Sequence, residues 1–368
     1  MRLRTVLVIA TAVLVFGVTS FRGADTLPTQ LSDSDYWKLI AEFSEPDGHY
    51  PYTVITSNEI AYQEVIPQLT KAIAPGGAYL GVGPEQNFTY IAALRPKIAF
   101  IVDIRRNMML EHLIYKAVFE MSADRVEFVS NLFSRPGPAQ LRADSSVEAI
   151  FHAFARSSGS SELAETHLKD ILARLKAHGF VLSASDEIRM RAIYLTFLRE
   201  GVVTFNSSIE SPGYTALMLA SDGMGRNWSY LASAENYARV RSMHQKNLII
   251  PVVGDFGGPK ALRMVGQYLR DHGAIASVFY LSNVEDYIDP VFEGYARNIG
   301  SLPIDKTSLF IHTSLQVNSL RPWLHPKRKR VRCSTRWRDA PRPLNAPHVR
   351  IRERRSRQSG DGEEFCKD

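Results

Sequence analysis

The sequence of 368 residues is nearly free of cysteine, since its two cysteines, Cys333 and Cys366, lie close to the C-terminus. The rest of the chain therefore has no disulfide framework, no cysteine-ligated zinc site and no catalytic thiol. Ten histidines are present, but they show no His-Glu-x-x-His spacing or comparable metal-ligand pattern. Also missing are the Gly-x-Ser-x-Gly turn of serine hydrolases and the phosphate-binding loop that ends in Gly-Lys-Ser or Gly-Lys-Thr. We therefore expect neither a metal site nor one of these common catalytic arrangements.

Long apolar runs are scarce as well, and the clearest one lies at the N-terminus. Met1–Arg4 is basic, Val6–Val18 is almost wholly apolar, and Val18–Ser20 offers small residues for cleavage. This is the layout of a signal peptide, and the run is short for a membrane span, which needs about 20 residues. We expect residues 1–24 to be cleaved and the body to be exported, to the periplasm or out of the cell. The alternative is an uncleaved N-terminal anchor, the one case in which we expect membrane contact.

Acidic and basic residues are unevenly distributed. From Arg321 to Asp368 the sequence holds fifteen Lys and Arg against six Asp and Glu, a local charge of +9. The first 320 residues hold 29 basic and 32 acidic residues, a charge of −3. A mildly acidic body lacks the basic surface of a nucleic-acid-binding protein. We therefore expect a small-molecule ligand and no nucleic acid for the body, while the sequence does not indicate an oligomeric state.

The basic tail, residues 320–368, has little apolar periodicity and is rich in Arg and Pro. Such a composition buries too little apolar surface to fold, so we predict disorder. The change in composition is abrupt, and a shifted reading frame at the end of the gene is a second hypothesis. It predicts that relatives lose similarity near Leu320.

Short apolar runs alternate with segments of helical period along the body, which predicts an α/β fold. We expect a three-layer, doubly wound, mostly parallel sheet with helices on both faces. The predicted strands lead into Gly81, lead into Asp103, and cover residues 126–133, 247–253, 276–281 and, as an edge strand, 308–313.

Three segments follow the signal in this interpretation. Residues 25–56 form an exposed lead-in with one short helix at Ser34–Phe43, and residues 57–319 form the α/β domain. Within that domain, residues from about 139 to 206 are polar and helical in period, so we expect a helical insertion over the mouth of the sheet. A plain pair of packing helices is the open alternative. The tail completes the chain.

The stretch from Tyr79 to Arg106 carries the most specific motif. It reads as an apolar run, a turn at Gly81-Val-Gly83, a short helix and a second apolar run that ends in Asp103. The two glycines let the backbone turn tightly and approach a ligand where a side chain would collide. An acid at the end of the second strand commonly accepts hydrogen bonds from ribose hydroxyls. This pattern predicts a site for a nucleotide-like cofactor.

Ligands of doubly wound sheets bind beyond the carboxyl ends of the strands. The residues predicted there are mostly acids and amides, which suit a ligand with hydroxyl and amino groups better than a pyrophosphate. The candidate ligand-binding residues are Glu59, Gly81, Gly83, Glu85, Asn87, Asp103, Arg105, Asp255 and Asn283, with Arg106, Ser130, Asn131 and Ser282 beside them. Purely structural roles stay open for these residues. The two glycines would then only form a tight turn, the arginines would form salt bridges, and Asp255 would form an Asx-type turn or a helix cap.

Here the sequence resembles a known group. The segment Gly81-Val-Gly-Pro-Glu-Gln-Asn-Phe-Thr-Tyr-Ile-Ala92, with Asp103-Ile-Arg-Arg106 and Val252-Val-Gly-Asp-Phe256, resembles class I S-adenosylmethionine-dependent methyltransferases. It resembles more closely an uncharacterised bacterial family with that methyltransferase-like fold, over roughly residues 57–313. The resemblance implies S-adenosylmethionine as the cofactor, with Gly81 and Gly83 around its methionine part and Asp103 on its ribose. It places Asp255 at the fourth-strand motif, which meets the substrate or the cofactor amine.

The sequence departs from this pattern in two places. Tyr79 stands two positions before Gly81, where these enzymes often have an acid. Glu85 and Gln86 replace the third glycine of the usual turn, and Glu85 could supply the missing acid from the other side. Gln86 also argues against a nicotinamide cofactor, because sites for such cofactors have a glycine at this position that lets the helix and strand pack closely.

Three functions remain open at this point. The first is methyl transfer from S-adenosylmethionine to an unidentified acceptor, which needs mainly an aligned acceptor and no recognisable general base. The second is an exported, non-catalytic ligand-binding protein on the same fold, because the cofactor is a cytoplasmic metabolite. The third is a hydrolase or nucleotide-binding protein built on the same sheet.

Overall fold

The computed structural model of the chain describes residues 25–203, 211–288, 291–315 and 329–334. The predicted signal at residues 1–24 and most of the basic tail lie outside these ranges, so export and cleavage stay predictions. No helix within the described ranges is long and apolar enough to cross a membrane.

A single sheet organises the described part of the chain. Its strands are β1 (Ala78–Gly81), β2 (Ile98–Asp103), β3 (Ile249–Val253), β4 (Ala276–Ser282), β5 (Leu309–Leu315) and β6 (Lys329–Ser334). They lie in the order β3-β2-β1-β4-β5-β6, with the first five parallel and β6 antiparallel to β5. Every residue of β1, β2 and β3 is buried, as expected for apolar runs in a parallel sheet covered on both faces. The α/β class with a mostly parallel sheet is thereby confirmed.

Twelve α-helices connect and cover these strands in the described ranges. They are α1 (Asp33–Phe43), α2 (Ile66–Ala72), α3 (Gln86–Leu94), α4 (Arg106–Met121), α5 (Arg125–Phe133), α6 (Val147–Phe154), α7 (Ser161–Ala177), α8 (Ala184–Glu200), α9 (Tyr214–Leu219), α10 (Ala234–Gln245), α11 (Ala261–Asp271) and α12 (Phe292–Gly300). Two short 3₁₀ turns add Gly201–Val203 and Val284–Asp286.

Helices cover both faces of the sheet. The ring of Phe100 on β2 lies 5.6 Å from that of Tyr268 on α11. The ring of Tyr79 on β1 lies 6.4 Å from that of Tyr90 on α3. Phe100 pairs with Leu80, the neighbour of Tyr79, so the two aromatic contacts are on opposite faces. The predicted arrangement of three layers is therefore confirmed.

The predicted third strand at residues 126–133 is wrong, because the segment is helix α5. The Asp124 carboxylate caps this helix by accepting hydrogen bonds from the backbone N–H of Val126 at 2.8 Å and of Glu127 at 3.0 Å. Its buried side chains, Phe128, Val129, Leu132 and Phe133, follow a helical spacing. Ser130 and Asn131 therefore lie on a helix and not at a strand end, and the third strand of the chain is β3.

The predicted insertion is helical, and its long helices pack against α4 and α5. The ring of Phe197 on α8 lies 5.8 Å from that of Tyr115 on α4, and Arg106 at the start of α4 binds Asp186 on α8. Helices α7 and α8 therefore match the alternative prediction, a plain pair of packing helices, and not a cover over the mouth of the sheet. The following segment is closer to the mouth of the sheet, because the Ser211 hydroxyl donates to the carbonyl of Ser57 at 3.2 Å.

The lead-in was predicted to be exposed, which is wrong for its helix. On α1, Tyr36, Ile40 and Phe43 are buried, and the Tyr36 hydroxyl donates to the carbonyl of Ile249 at 3.1 Å. The helix thus covers edge strand β3, a position that an open sheet has to protect. Disorder of the tail is likewise wrong for the six residues of β6, which pair with β5, so β5 is no edge strand.

Candidate functional site

The candidate site lies where β1 and β4 run side by side. The chain continues from β1 to β2 and β3 on one side, and β4 and β5 lie on the other, so the strand order reverses here. In open α/β sheets such a reversal leaves a crevice beyond the carboxyl ends of the strands, where ligands bind. β1 ends at Gly81 and β4 ends at Ser282. The polar groups around these two residues are therefore the first candidates for a ligand site.

The turn after β1 is held in shape by Asn87. Its Nδ2 donates to three carbonyls of the turn, most closely to Pro84 at 2.7 Å, and its Oδ1 accepts from the Tyr79 hydroxyl at 2.8 Å. A Cβ atom on Gly81 would collide with that Oδ1, and Gly83 has a φ of +77°, which favours glycine. The two glycines thus shape the turn, and both polar atoms of the Asn87 side chain are hydrogen-bonded within the protein.

A buried carboxyl group, that of Glu59, links this turn to the end of β4. Its Oε2 accepts from the Tyr280 hydroxyl at 2.9 Å and from Nε2 of Gln86 at 3.2 Å, and its Oε1 accepts from the Ser282 hydroxyl at 2.5 Å. The residue is 1% exposed, and all three donors are neutral. Gln86 also accepts from the Ser57 hydroxyl. The residue that replaces the third glycine of the usual turn is therefore an anchor for Glu59.

The end of β4 is distorted at Ser282. Its φ is +51°, and the pairing of β4 with β5 shifts register between Tyr280 and Ser282. A non-glycine residue in this conformation costs about 1–3 kcal/mol, and such strain concentrates at functional sites. A bulge also re-aims side chains, and here the Ser282 hydroxyl is directed to Glu59.

Asp103 ends β2, as predicted, and is held by Arg105. Its Oδ1 accepts from the backbone N–H of Arg105 at 2.9 Å and from Nε at 3.0 Å, and its Oδ2 accepts from Nη2 at 3.0 Å. The guanidinium also lies over the ring of Tyr50, 5.2 Å from its centroid. The carboxylate thus lies at the carboxyl end of β2, where it was predicted, and it already accepts three hydrogen bonds within the protein.

Aromatic side chains bridge the crevice above β1. The ring of Tyr50, which contacts Arg105 after β2, lies 5.3 Å from that of Tyr287, which follows β4. Tyr52 adds a third ring 5.5 Å from Tyr50. Because β1 lies between β2 and β4, this bridge passes over the carboxyl end of β1.

Two further acids are buried next to the turn. Burial raises the pKa of Glu85 to about 8, and burial followed by the charge of Glu85 raises the pKa of Glu111 well above its usual range. Oε1 of Glu85 accepts from the backbone N–H of Ser57 at 3.2 Å, whereas its Oε2 and Oε1 of Glu111 have no partner in the described chain. Burial therefore favours the protonated form of both side chains.

The family comparison covers the whole of this site. Residues 54–355 match the model of the family described as domain of unknown function DUF7790. The chain belongs to this family. The DUF7790 match continues past Leu320 into the basic tail, whereas a shifted reading frame predicts that similarity ends there. No curated protein matches the chain.

Most of the predicted ligand-binding residues of this DUF7790 domain lie at the carboxyl ends of β1, β2 and β4. These are Glu59, Gly81, Gly83, Glu85, Asn87, Asp103, Arg105 and Asn283. Asn283 follows β4 directly, and its Nδ2 donates to Asp286 at 3.2 Å within the 3₁₀ turn. Arg106 points away to Asp186 on the insertion, so it is a salt-bridge partner.

The placement of Asp255 at a fourth-strand motif is wrong. Residues 126–133 are a helix, so the strand before Asp255 is β3, which has β2 as its one neighbour within the described sheet and does not adjoin β1. The Asp255 carboxylate accepts from the backbone N–H of Gly257 at 2.8 Å, which is an Asx-type turn. Glu45 occupies the other donors there, the N–H groups of Asp255, Lys260 and Ala261. Asn283, after β4, stands next to β1 instead.

Sequence reasoning missed several buried polar residues. Tyr280 reads as part of an apolar strand, and its hydroxyl contact with Glu59 spans 221 positions of sequence. Glu111, His112 and Tyr115 fall between the positions of the apolar stripe of α4, yet all three are buried. The sequence signal for their burial is that apolar residues lie on nearly every side of α4, so its polar residues fall between buried positions.

Proposed function

We propose that the protein binds S-adenosylmethionine in the crevice beyond β1 and β4 and transfers its methyl group to an acceptor. The supporting observation is the Gly81-Val-Gly83 turn with an acid on each side, Asp103 after β2 and Glu59 beside β4. The turn suits the methionine part of the cofactor and Asp103 the ribose hydroxyls, while Glu59 ties the end of β4 to the turn. The bound cofactor supplies an activated methyl group, and the protein binds and orients the two reactants.

The charge of the crevice favours this cofactor over a dinucleotide. A pyrophosphate needs free backbone N–H groups and cations, with a third glycine for close helix packing. Here Gln86 replaces that glycine and binds Glu59, while Arg105 and Arg106 are both paired with aspartates. A sulfonium and an ammonium group are better matched to a crevice lined by carboxyl groups.

A second candidate is a non-catalytic ligand-binding protein on the same fold. The contact between Arg105 and Asp103 favours it, because the acid expected to hold the ribose is engaged within the protein. Export would favour it further, since S-adenosylmethionine is a cytoplasmic metabolite. Such a protein would need no methyl acceptor, and its crevice would hold another polar small molecule.

Calorimetric titration of the full chain with S-adenosylmethionine, S-adenosylhomocysteine and NAD⁺ tests the proposal. We expect micromolar binding of the first two and a loss of at least about tenfold in Asp103→Asn, which corresponds to about 1.4 kcal/mol. Asp255→Asn is the matched control, because it makes the same chemical change in the turn after β3, away from the crevice between β1 and β4. Circular dichroism establishes that each variant is folded.

The outcomes separate the candidates. Absence of binding to both sulfur compounds by a folded wild-type chain refutes the methyltransferase proposal and leaves the binding protein. Binding of NAD⁺ alone would point to a nucleotide-dependent function. Equal weakening by Asp103→Asn and Asp255→Asn would remove the assignment of the site to β1 and β2.

A further inference from the structure

A group of buried polar atoms beside the β1 turn has no partners. Oε2 of Glu85, Oε1 of Glu111, Nδ1 of His112 and the hydroxyl of Tyr115 make no hydrogen bond within the described chain. Glu111 and His112 are 2% exposed, and Glu85 and Tyr115 are fully buried. A buried polar atom without a partner is destabilising, and such atoms are rare in folded proteins. Four of them within one helix and the adjoining turn point to a missing binding partner.

The acids and the tyrosine share one neighbourhood. Burial, the nearby Tyr214 and the charges of Glu85 and Glu111 raise the pKa of Tyr115 well above its usual range. Glu85 likewise acts on Glu111, which also faces Arg105 and Asp103 from the end of β2. Tyr214 comes from α9, and its hydroxyl contacts that of Tyr230. Helix α9 thus adjoins these groups through Tyr214, while α4 and the β1 turn supply them.

The unpartnered atoms need hydrogen-bond donors. Nε2 of His112 lies 2.9 Å from the carbonyl of Gly83, which can only accept, so Nε2 carries the hydrogen and Nδ1 is an acceptor. The oxygens of Glu85 and Glu111 become acceptors as soon as the acids ionise. Ionisation requires a positive charge nearby, because a buried carboxylate without one is strongly disfavoured.

We propose that Glu85, Glu111 and Tyr115, with His112 at their border, form an enclosed site for the primary ammonium group of a small ligand. An ammonium group brings three donors and the positive charge that lets both acids ionise. A metal ion fits less well, since the described residues contain no cluster of three or more ligands that could hold one. The ammonium group belongs either to an amino-acid part of a nucleoside ligand or to a separate amine. The inference does not depend on methyl transfer.

Titration of the full chain with propylamine, and with 1-propanol as its neutral counterpart, tests the site. Propylamine has few atoms with which to gain binding free energy, so we expect millimolar affinity. Calorimetry in two buffers of different ionisation enthalpy measures protons released on binding. We expect release of about one to two protons near neutral pH, because Glu85 and Glu111 ionise beside the amine, and no saturable binding of 1-propanol.

Variants locate the binding. Glu111→Gln should reduce proton release and weaken propylamine at least about tenfold, and Tyr115→Phe serves as the second variant if the first does not fold. The exposed Glu64→Gln is the control for loss of one carboxyl group and should change nothing. Absence of propylamine binding by wild type, equal binding of 1-propanol, or unchanged binding in both site variants would overturn the proposal and leave internal water as the partner.

Two nucleosides separate the sources of the ammonium group. S-adenosylhomocysteine carries an amino-acid group, and 5′-methylthioadenosine lacks it. Proton release with the first and not the second assigns the site to a nucleoside ligand. Release with propylamine alone assigns it to a separate amine, even when the cofactor proposal fails.

Discussion

Replacement of Glu85 by glutamine should change the pH dependence of stability in a defined direction. Burial raises the pKa of Glu85 from 4.5 to about 8. Between these two pH values the folded protein keeps the proton and the unfolded chain loses it. The folded state therefore binds more protons, and by linkage its stability falls as pH rises through this window. This is opposite to the usual case of a salt-bridged carboxylate.

The magnitude follows from the width of the window. One retained proton corresponds to about 1.4 kcal/mol of lost stability per pH unit, or about 3–5 kcal/mol in total by about pH 8.5. Glu85→Gln is close in shape to the protonated acid and keeps an acceptor for the N–H of Ser57. The variant and the wild type should therefore agree within about 1 kcal/mol near pH 5, and the variant should be more stable near pH 8.5.

Urea unfolding of the full chain near pH 5, 7 and 8.5, followed by tryptophan fluorescence, measures this difference. Equal urea slopes in both proteins would show that the compactness of the end states is unchanged. The exposed Glu64→Gln controls for net charge. Parallel stability curves for wild type and Glu85→Gln across the whole range would refute the reasoning, because they would mean that Glu85 is ionised at little cost in the folded protein.

Two further predictions concern the packing around α4. Asp186→Ala should destabilise the protein by about 2–4 kcal/mol in urea unfolding, because it removes the Asp186 half of the capping box with Ser183 and leaves the 33%-exposed Arg106 without its partner. Glu165→Ala, which removes an exposed ion pair with Arg191, should have a much smaller effect. Lys116→Met should destabilise the protein by about 3–5 kcal/mol, because the 1%-exposed Lys116 side chain pairs at 2.6 Å with the 7%-exposed carboxylate of Glu120. If either variant is destabilised less than Glu165→Ala, its ion pair, Arg106 with Asp186 or Lys116 with Glu120, does not stabilise the fold as described.

The sheet could be predicted from sequence because its strands are short apolar runs that end at glycine or an acid. β1, β2 and β4 lie where these runs place them, and helix α11 ends before Gly273, whose φ of +63° suits its place. The strand predicted at residues 126–133 is wrong because the apolar residues there, such as Phe128 and Val129, fit either period. The Asp124 cap decides in favour of a helix, and that decision moves Asp255 from the centre of the sheet to its edge.

The site could be predicted only in part, for a different reason. Gly81, Gly83 and Asp103 are fixed by local backbone geometry, which a motif records. The contacts of Glu59 with Tyr280 and Ser282 join segments more than 200 positions apart. Such contacts depend on strand order, and no short pattern contains that order.

The two candidate functions differ in what Asp103 does when a ligand arrives. An ionised carboxylate offers about four lone-pair sites, and Arg105 occupies three of them through its backbone N–H, Nε and Nη2. One position on Oδ2 is left, which accepts one ribose hydroxyl but not both. A cofactor held through both hydroxyls must therefore displace Nη2 of Arg105, and that group has a second anchor over the ring of Tyr50. Arg105→Lys keeps the charge and removes the fork, so it should tighten a ligand that needs both hydroxyls and leave unchanged a ligand that needs one.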